Sequence, residues 1–399
     1  MVFTLLIHEK LEQAVEILTE TDLDLWLTFV RETTELNDPN LPYIAGTHVV
    51  WQSAFMVTRH GDRIAIVGSG DTNNIIRLEA YDEVIGYDQS IRDALVSVLD
   101  RLDPKTIALN YSEDNNAADG ITHGMYLRLC RLLAGTPYPE RFVSAEPATM
   151  KIRGRKSSAE IELIKDAIAT TMDLFQELTE EVRLGWTEKD VLRFLHRRME
   201  EIGVGPAWAA EYCPSVNAGL DSLRGHTPPG NVVIEPGHIL RLDYGVKKSE
   251  YCSDLQRVWY FLKPGETAPP DDVLKGFTAV QKVIHEAAKL MKPGVIAYEV
   301  DGLGRKIIQE EGYPEFMYAL GHQVGRNAHD GGTLLGPRWE RYGERPYDAL
   351  EANQVYTLEL GVRTRAGYVA QEEMVLVTEN GCEFLSDMQK EIVLIPYRE

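Results

Sequence analysis

The sequence predicts an α/β (α+β) protein of two domains, the second carrying an internal duplication. Three observations lead there. The chain has 399 residues, 44% of them hydrophobic, enough for a large core and more than one domain usually holds. Its first 150 residues alternate strand and helix patterns. From about residue 158 one plan occurs twice: a glycine, a helix closed by a second glycine, and then a hairpin bearing acids.

In the first domain, residues 1–150, segment 9–19 has helical periodicity and 23–29 reads as a strand. Segments 54–58 and 63–67 flank His60-Gly61-Asp62, a hairpin signal. Segment 91–102 is helical in pattern, 106–110 a strand and 124–133 a helix. This alternation predicts a mixed sheet covered on both faces. Gly68-Ser69-Gly70 lacks the further glycine and the helix of a phosphate loop, so no nucleotide site is expected there.

The boundary is expected within 147–158. Lys151-Ile152-Arg153-Gly154-Arg155-Lys156 is a basic run in an acidic protein and reads as a solvated linker. Ser157 and Glu160 then form a capping box for an amphipathic helix reaching about residue 182. In the second domain, residues 151–399, Gly185 and Gly203 bracket one helix, and Gly294 and Gly312 bracket another with the same spacing. Val191 and Val300 hold the same place in the two copies.

Each copy leads to a hairpin with two acids. Asp243 in Leu242-Asp243-Tyr244-Gly245 precedes Asp254 by eleven residues, across the polar turn Lys247-Lys248-Ser249-Glu250. Glu359 in Leu358-Glu359-Leu360-Gly361 precedes Glu372 by thirteen, across Arg365-Ala366-Gly367. If each hairpin folds about the midpoint of its acids, both pairs are cross-strand neighbours projecting from one face. Two ionised carboxylates about 4 Å apart repel by roughly 4 kcal/mol at an effective dielectric near 20. Bound cations reverse that sign. With His322, in Gly321-His322-Gln323, the four acids form a ligand set for two divalent cations.

Composition excludes other classes. Lys plus Arg number 41 against 62 acids, a formal charge of -21, which disfavours nucleic acid and anionic membranes as partners. The four cysteines are dispersed and show no CxxC, as in reduced cytoplasmic proteins. No run of 18 apolar residues and no basic leader occurs, so neither membrane span nor signal peptide is expected.

These residues carry a resemblance. The chain resembles the pita-bread metallopeptidases, which include Xaa-Pro dipeptidases (prolidases), aminopeptidase P, methionine aminopeptidase and the metal-free creatinases. Residues 1–150 resemble the creatinase-type N-terminal domain, with Tyr43-Ile44-Ala45-Gly46 fitting its pattern, and the rest resembles the catalytic domain. That N-terminal domain argues against methionine aminopeptidase.

The resemblance implies roles. Asp243 would chelate one metal and His322 the other, with Asp254 and Glu372 bridging them. Glu359 would share the metal of His322 and act as general base and acid. His226, in Arg224-Gly225-His226, and His329, in Ala328-His329-Asp330, would contact substrate and the developing oxyanion. His196 and His285 are expected to be surface or packing residues. A water between two cations about 3.5–4 Å apart ionises near neutral pH and becomes the nucleophile. Such a ligand set suits Mn, Co, Fe or Zn without choosing among them.

The implied activity is hydrolysis of a peptide bond before proline in a small peptide, as an Xaa-Pro dipeptidase first. An Xaa-Pro aminopeptidase or a non-peptide C–N hydrolase of the creatinase or amide-hydrolase type are the alternatives. The enzyme is expected to be a cytoplasmic homodimer. Three departures bear on substrate. Ala370 stands where the family commonly has arginine, Leu360 where proline is common, and Tyr318 where aminopeptidase P has a histidine. Arg338, Arg341 and Arg345 are candidates for holding a substrate carboxylate.

Overall fold

The computed structural model describes residues 2–398 except Asn37, Asp114, Arg224 and His226, and the side chains from residue 6 onward. The chain forms two compact units, Met1–Arg153 and Gly154–Glu399.

The first unit runs α1 (Val2–Glu20), β1 (Leu25–Val30), α2 (Leu41–Ile44), β2 (Ser53–Thr58), β3 (Arg63–Gly68), α3 (Thr72–Ile76), β4 (Glu83–Tyr87), α4 (Arg92–Leu102), β5 (Ile107–Leu109), α5 (His123–Leu132), β6 (Phe142–Ser144) and α6 (Glu146–Gly154). Its strands form one mixed sheet in the order β4-β3-β2-β1-β5-β6. The strand period of two divides the side chains between two cores. Trp26, Val30, Phe55 and Val57 pack with Leu11, Ala14 and Leu18 of α1. Leu25, Leu27, Phe29 and Met56 pack with Leu95 and Leu99 of α4 and Leu129 of α5. Both faces of the sheet are therefore covered, as the alternation of patterns requires.

The second unit opens with α7 (Ser158–Glu181), α8 (Glu188–Ile202), β7 (Gly205–Pro206), β8 (Ser215–Ala218) and β9 (Ile239–Tyr244). A short pair, β10 (Val246–Lys248) and β11 (Tyr251–Cys252), precedes β12 (Leu255–Phe261). Then come α9 (Asp271–Leu290), α10 (Ala297–Glu310), β13 (Val355–Thr364), β14 (Gly367–Val377), β15 (Cys382–Phe384) and β16 (Val393–Ile395). Ser157 caps α7 with its hydroxyl while Glu160 reaches back, the reciprocal pair its spacing predicts. The two copies end alike: Gly203 follows α8 at φ 74° and Gly312 follows α10 at φ 88°. A left-handed closure of this kind suits glycine, which carries no Cβ. Val191 and Val300 are both fully buried.

The main sheet is ordered β13-β14-β12-β9-β8. One face packs on α9 and α10, where Val280, Val283, Ile284, Val300 and Ile308 meet Leu358, Leu360, Val362 and Val375. Each such aliphatic contributes about 1.5–3 kcal/mol on burial. Alternation along β13 then turns Glu359, Gly361 and Arg363 toward the opposite face. The helices hold the sheet from behind, and the face bearing the acids is left for chemistry.

The basic run is not a solvated linker. Lys151 to Gly154 finish α6, and Arg153 and Lys156 are each 2% exposed. Lys156 Nζ lies 3.2 Å from Asp330 Oδ2, and Arg155 grips Glu351 with two nitrogens at 2.7 and 3.0 Å. Lys156 and Asp330 are buried together as an ion pair, while Arg155 and Glu351 form a half-buried one. Among the described residues, no helix is long and apolar enough to cross a membrane.

Candidate metal centre

The acids stand in one row across four adjacent strands. Asp243 of β9 faces Gln256 of β12, Gln256 faces Glu372 of β14, and Glu372 faces Glu359 of β13. The Glu359–Glu372 register is the one the spacing predicts. The other register differs: Gln256, not Asp254, stands opposite Asp243. The chain does not turn as one simple hairpin there. Gly245 passes so close to Ser253 that a Cβ on it would lie 1.8 Å from the Ser253 oxygen, and the connection splits off as the separate β10–β11 pair. Asp254 thus lies diagonal to Asp243, still on the same face because the offset is two residues.

His322 arrives from outside the sheet. Its carbonyl accepts from Thr357 N at 2.9 Å, and its own N–H donates to Thr357 Oγ1 at 3.2 Å. Gly321 permits this approach, since a Cβ there would lie 2.0 Å from the Thr357 oxygen. The imidazole Nε2 is then 3.5 Å from Glu359 Oε1, 3.8 Å from Asp254 Oδ2 and 4.0 Å from Glu372 Oε1. One ligand atom each from Asp254, His322 and Glu372 lie within 4.8 Å of one another.

The donor set fits divalent cations. Asp254 Oδ1 and Glu372 Oε1 are buried and have no hydrogen-bond partner among the described residues. A buried polar atom left unpaired costs about 1–3 kcal/mol, more when charged. Carboxylate oxygens with a single imidazole are ligands suited to hard and borderline dications. The electrostatics agree. Burial, with Asp243 and Glu359 close by, raises the Asp254 carboxyl well above its ordinary range. Glu372 is raised for the same reasons, by burial first and then by the Asp254 charge. Burial and the Asp243 charge lift Glu359 to about 8. Burial, followed by the neighbouring His329, pushes His322 down to about 3. Without a cation the cluster resists ionising, and a cation is what makes four carboxylates compatible with one pocket.

Two further residues organise the row, and sequence reasoning passed over both. Gln256 Nε2 donates to Glu359 Oε2 at 2.8 Å and to Glu372 Oε2 at 2.9 Å. Its Oε1 accepts from Arg241 Nε at 3.1 Å. Arg241 Nη2 donates to Asp243 Oδ2 at 2.9 Å, while Nη1 reaches Ser215 and Asn217. The signal was present: each is a polar residue inside an apolar strand, two positions from an acid and so on its face. On the reverse face, Glu373 is sealed with Arg257 in a buried ion pair and also accepts from Ser386, Gln371 and the Gln389 N–H.

The flanking histidines divide. The His329 ring stands edge-on to His322 with centroids 4.3 Å apart. The next residue, Asp330, is the buried partner of Lys156, which pins this loop. His226 lies outside the described residues. The chain on either side of it is gripped by Glu188, which accepts from Ala218 N, Ser222 Oγ and Gly230 N. His196 bonds the Cys213 carbonyl and His285 packs edge-on to Phe384. Arg338 lies over the Tyr298 ring, and Arg341 over Trp339 and Tyr342. Arg345 is near enough for its charge to act on His322. Ala370 faces Gly361 one step beyond the Glu372–Glu359 pair, and the Tyr368 ring lies against this spot.

Comparison with known proteins follows the same line. The profile of metallopeptidase family M24 matches residues 162–379. An Xaa-Pro dipeptidase of Pyrococcus horikoshii is 24% identical over 392 residues, covering 97% of this chain and 99% of its own. The crystal structure of an X-Pro aminopeptidase from Thermotoga maritima MSB8 superimposes with a TM-score of 0.71 at 25% identity, over 96% of this chain and 99% of that one. An Xaa-Pro dipeptidase from Bacillus anthracis superimposes with a TM-score of 0.74 at 22% identity, over 98% and 100% of the two chains.

Proposed function

The chain belongs to metallopeptidase family M24, and from that membership we propose that it hydrolyses the peptide bond preceding proline in small peptides. Membership implies use of a divalent metal. The reading assigns two such ions, Mn, Co, Zn or Fe, to Asp243, Asp254, His322, Glu359 and Glu372. The observation that carries it is the row of acids beside His322, with buried oxygens of Asp254 and Glu372 left without partners.

When bound, the cations supply Lewis acidity toward the scissile carbonyl and lower the pKa of water. The chain's own residues do the rest. Glu359 takes a proton from the attacking water and returns it to the leaving amine. His329 and His226 donate to the developing oxyanion. Gln256 keeps Glu359 and Glu372 oriented, and Arg241 steadies Asp243 and Gln256 together. Residues 1–150 are read as the creatinase-type domain, and the enzyme as a cytoplasmic homodimer.

Two substrate lengths fit this chemistry. The dipeptidase reading rests on the full-length resemblance to Xaa-Pro dipeptidases. The aminopeptidase reading rests on the full-length likeness to the X-Pro aminopeptidase of Thermotoga maritima MSB8. Assay of an Xaa-Pro dipeptide beside an Xaa-Pro-Yaa tripeptide, with Mn or Co added to chelated enzyme, tests both. Release of neither proline nor the N-terminal residue would remove the proposal.

A further inference from the structure

We propose that Arg241 is a resident cation of the metal centre. It holds one oxygen of Asp243, so the ion station at Asp243 is the weaker of the two and fills second, as free metal rises. The inference rests on the two-ion reading and deepens it to an order of loading set by this residue. The guanidinium is fixed on every side. Nη2 donates to Asp243 Oδ2 at 2.9 Å and Nε to Gln256 Oε1 at 3.1 Å. Nη1 donates to Asn217 Oδ1 at 3.2 Å and Ser215 Oγ at 3.3 Å. Across β8 and β9, Ser215 pairs with Asp243 and Asn217 with Arg241, so period two sets all four on one face.

The two ends of the row therefore differ in charge. The Arg241 side chain is 12% exposed, so solvent and salt screen it little. Its charge is permanent, because a guanidinium keeps its proton at any working pH. At the other end, Asp254, Glu359 and Glu372 all lie within 4.0 Å of His322 Nε2. Among the described residues, none of those three carboxylates bonds a lysine or an arginine. An imidazole binds a metal as the neutral ring, so that end offers carboxylates without a fixed cation. Glu359 stands three strands from Asp243, about 14 Å of sheet at roughly 4.8 Å per strand. The Arg241 charge falls off over that distance and acts most strongly at Asp243.

Two neighbours in the site thus act with opposite sign. Gln256 is a neutral donor that orients Glu359 and Glu372 and repels no ion. Arg241 also orients its carboxylate, but it adds a full positive charge that opposes a dication beside it. If orientation were its whole effect, removing Arg241 would weaken metal binding, as loss of an outer partner usually does. Charge predicts the reverse at Asp243: without Arg241 the second ion binds more tightly.

The test titrates the metal-free parent, Arg241→Met, Arg241→Lys and Asp243→Asn with Mn(II), reading free Mn(II) by electron paramagnetic resonance and heat by calorimetry. The parent should bind two ions in separate steps, the second at least about tenfold weaker. Asp243→Asn should lose the second step and keep the first. Arg241→Met should tighten the second step about 10- to 100-fold, while Arg241→Lys, which keeps the charge, should leave it within about threefold. A parent that takes one ion, joined by a second in the methionine variant, is the same result at its limit. Should the methionine variant fail to fold, Arg241→Gln, neutral but still hydrogen-bonding, carries the same expectation. A second step unchanged or weakened in the neutral variants overturns the proposal, as does a lysine variant that matches the methionine one, or a parent whose two steps coincide. A parent that binds no manganese removes the two-ion reading itself and this proposal with it. Two ions in the parent with the neutral variants weakened remove the Arg241 assignment alone.

Discussion

Gln256→Leu removes an amide that stands between two acids. In the parent, Nε2 donates to Glu359 at 2.8 Å and to Glu372 at 2.9 Å, and Oε1 accepts from Arg241. Leucine keeps the volume and the strand but satisfies none of these groups. Hydrogen bonds to ionised groups contribute about 1.5–3 kcal/mol each. Loss of an outer partner of a metal-binding carboxylate typically lowers affinity about 10- to 100-fold. Protonation acts in the same direction. Gln256 is one of the groups that holds down the pKa of Glu359 and Glu372, so the leucine variant retains protons to higher pH. Protons and cations compete for those oxygens. Chelated parent and variant, titrated with Mn(II) against a chelating dye at pH 7, should differ by 10- to 100-fold in affinity, with the variant still folded by circular dichroism. A folded variant binding within twofold of the parent would refute the reasoning.

Three other outcomes follow from the same geometry. Glu359→Gln should lower kcat about 100- to 10,000-fold with the fold retained by circular dichroism, and a variant retaining a tenth of parental kcat would exclude Glu359 as the proton carrier. Lys156→Met strips the counterion from Asp330, which is fully buried, and should cost about 3–5 kcal/mol in urea unfolding; a loss below about 1 kcal/mol would contradict the pairing. Chelated enzyme should lose melting temperature as pH rises from 5 to 8. Glu359 titrates at about 8 when folded against an ordinary 4.5, so its stabilising proton is present below about 4.5 and lost through 8. Saturating Mn(II) should flatten or reverse that slope, and a chelated protein that gains stability across the window would overturn the sign.

Local rules recovered much of this molecule from its letters. The Ser157 capping box, the paired glycines that close α8 and α10, and the Glu359–Glu372 register all follow from interactions within a few residues or one turn. Rules of that range fail where the chain changes partners. Asp243 and Asp254 look like one hairpin, but Gly245 and Ser253 cross too closely for simple pairing and a small second pair of strands peels away. The basic run at 151–156 looked solvated because its partners, Asp330 and Glu351, lie almost two hundred residues further along the chain. Gln256 and Arg241 were legible in principle, since period two places them beside the acids. A glutamine or arginine in a strand also suits a solvent-facing position, so their polarity alone does not mark a site.

The row of acids has a mechanical consequence. Each of four neighbouring strands contributes one residue to it, and the rungs match side by side like the marks of a vernier. Sliding any strand by a single residue would swing its member to the helix-covered side. Cations seated on that row would act as a ratchet pawl for the whole sheet, rejecting every mispaired arrangement. A strand one residue out of step would therefore break the row and the Gln256 bonds that tie Glu359 to Glu372.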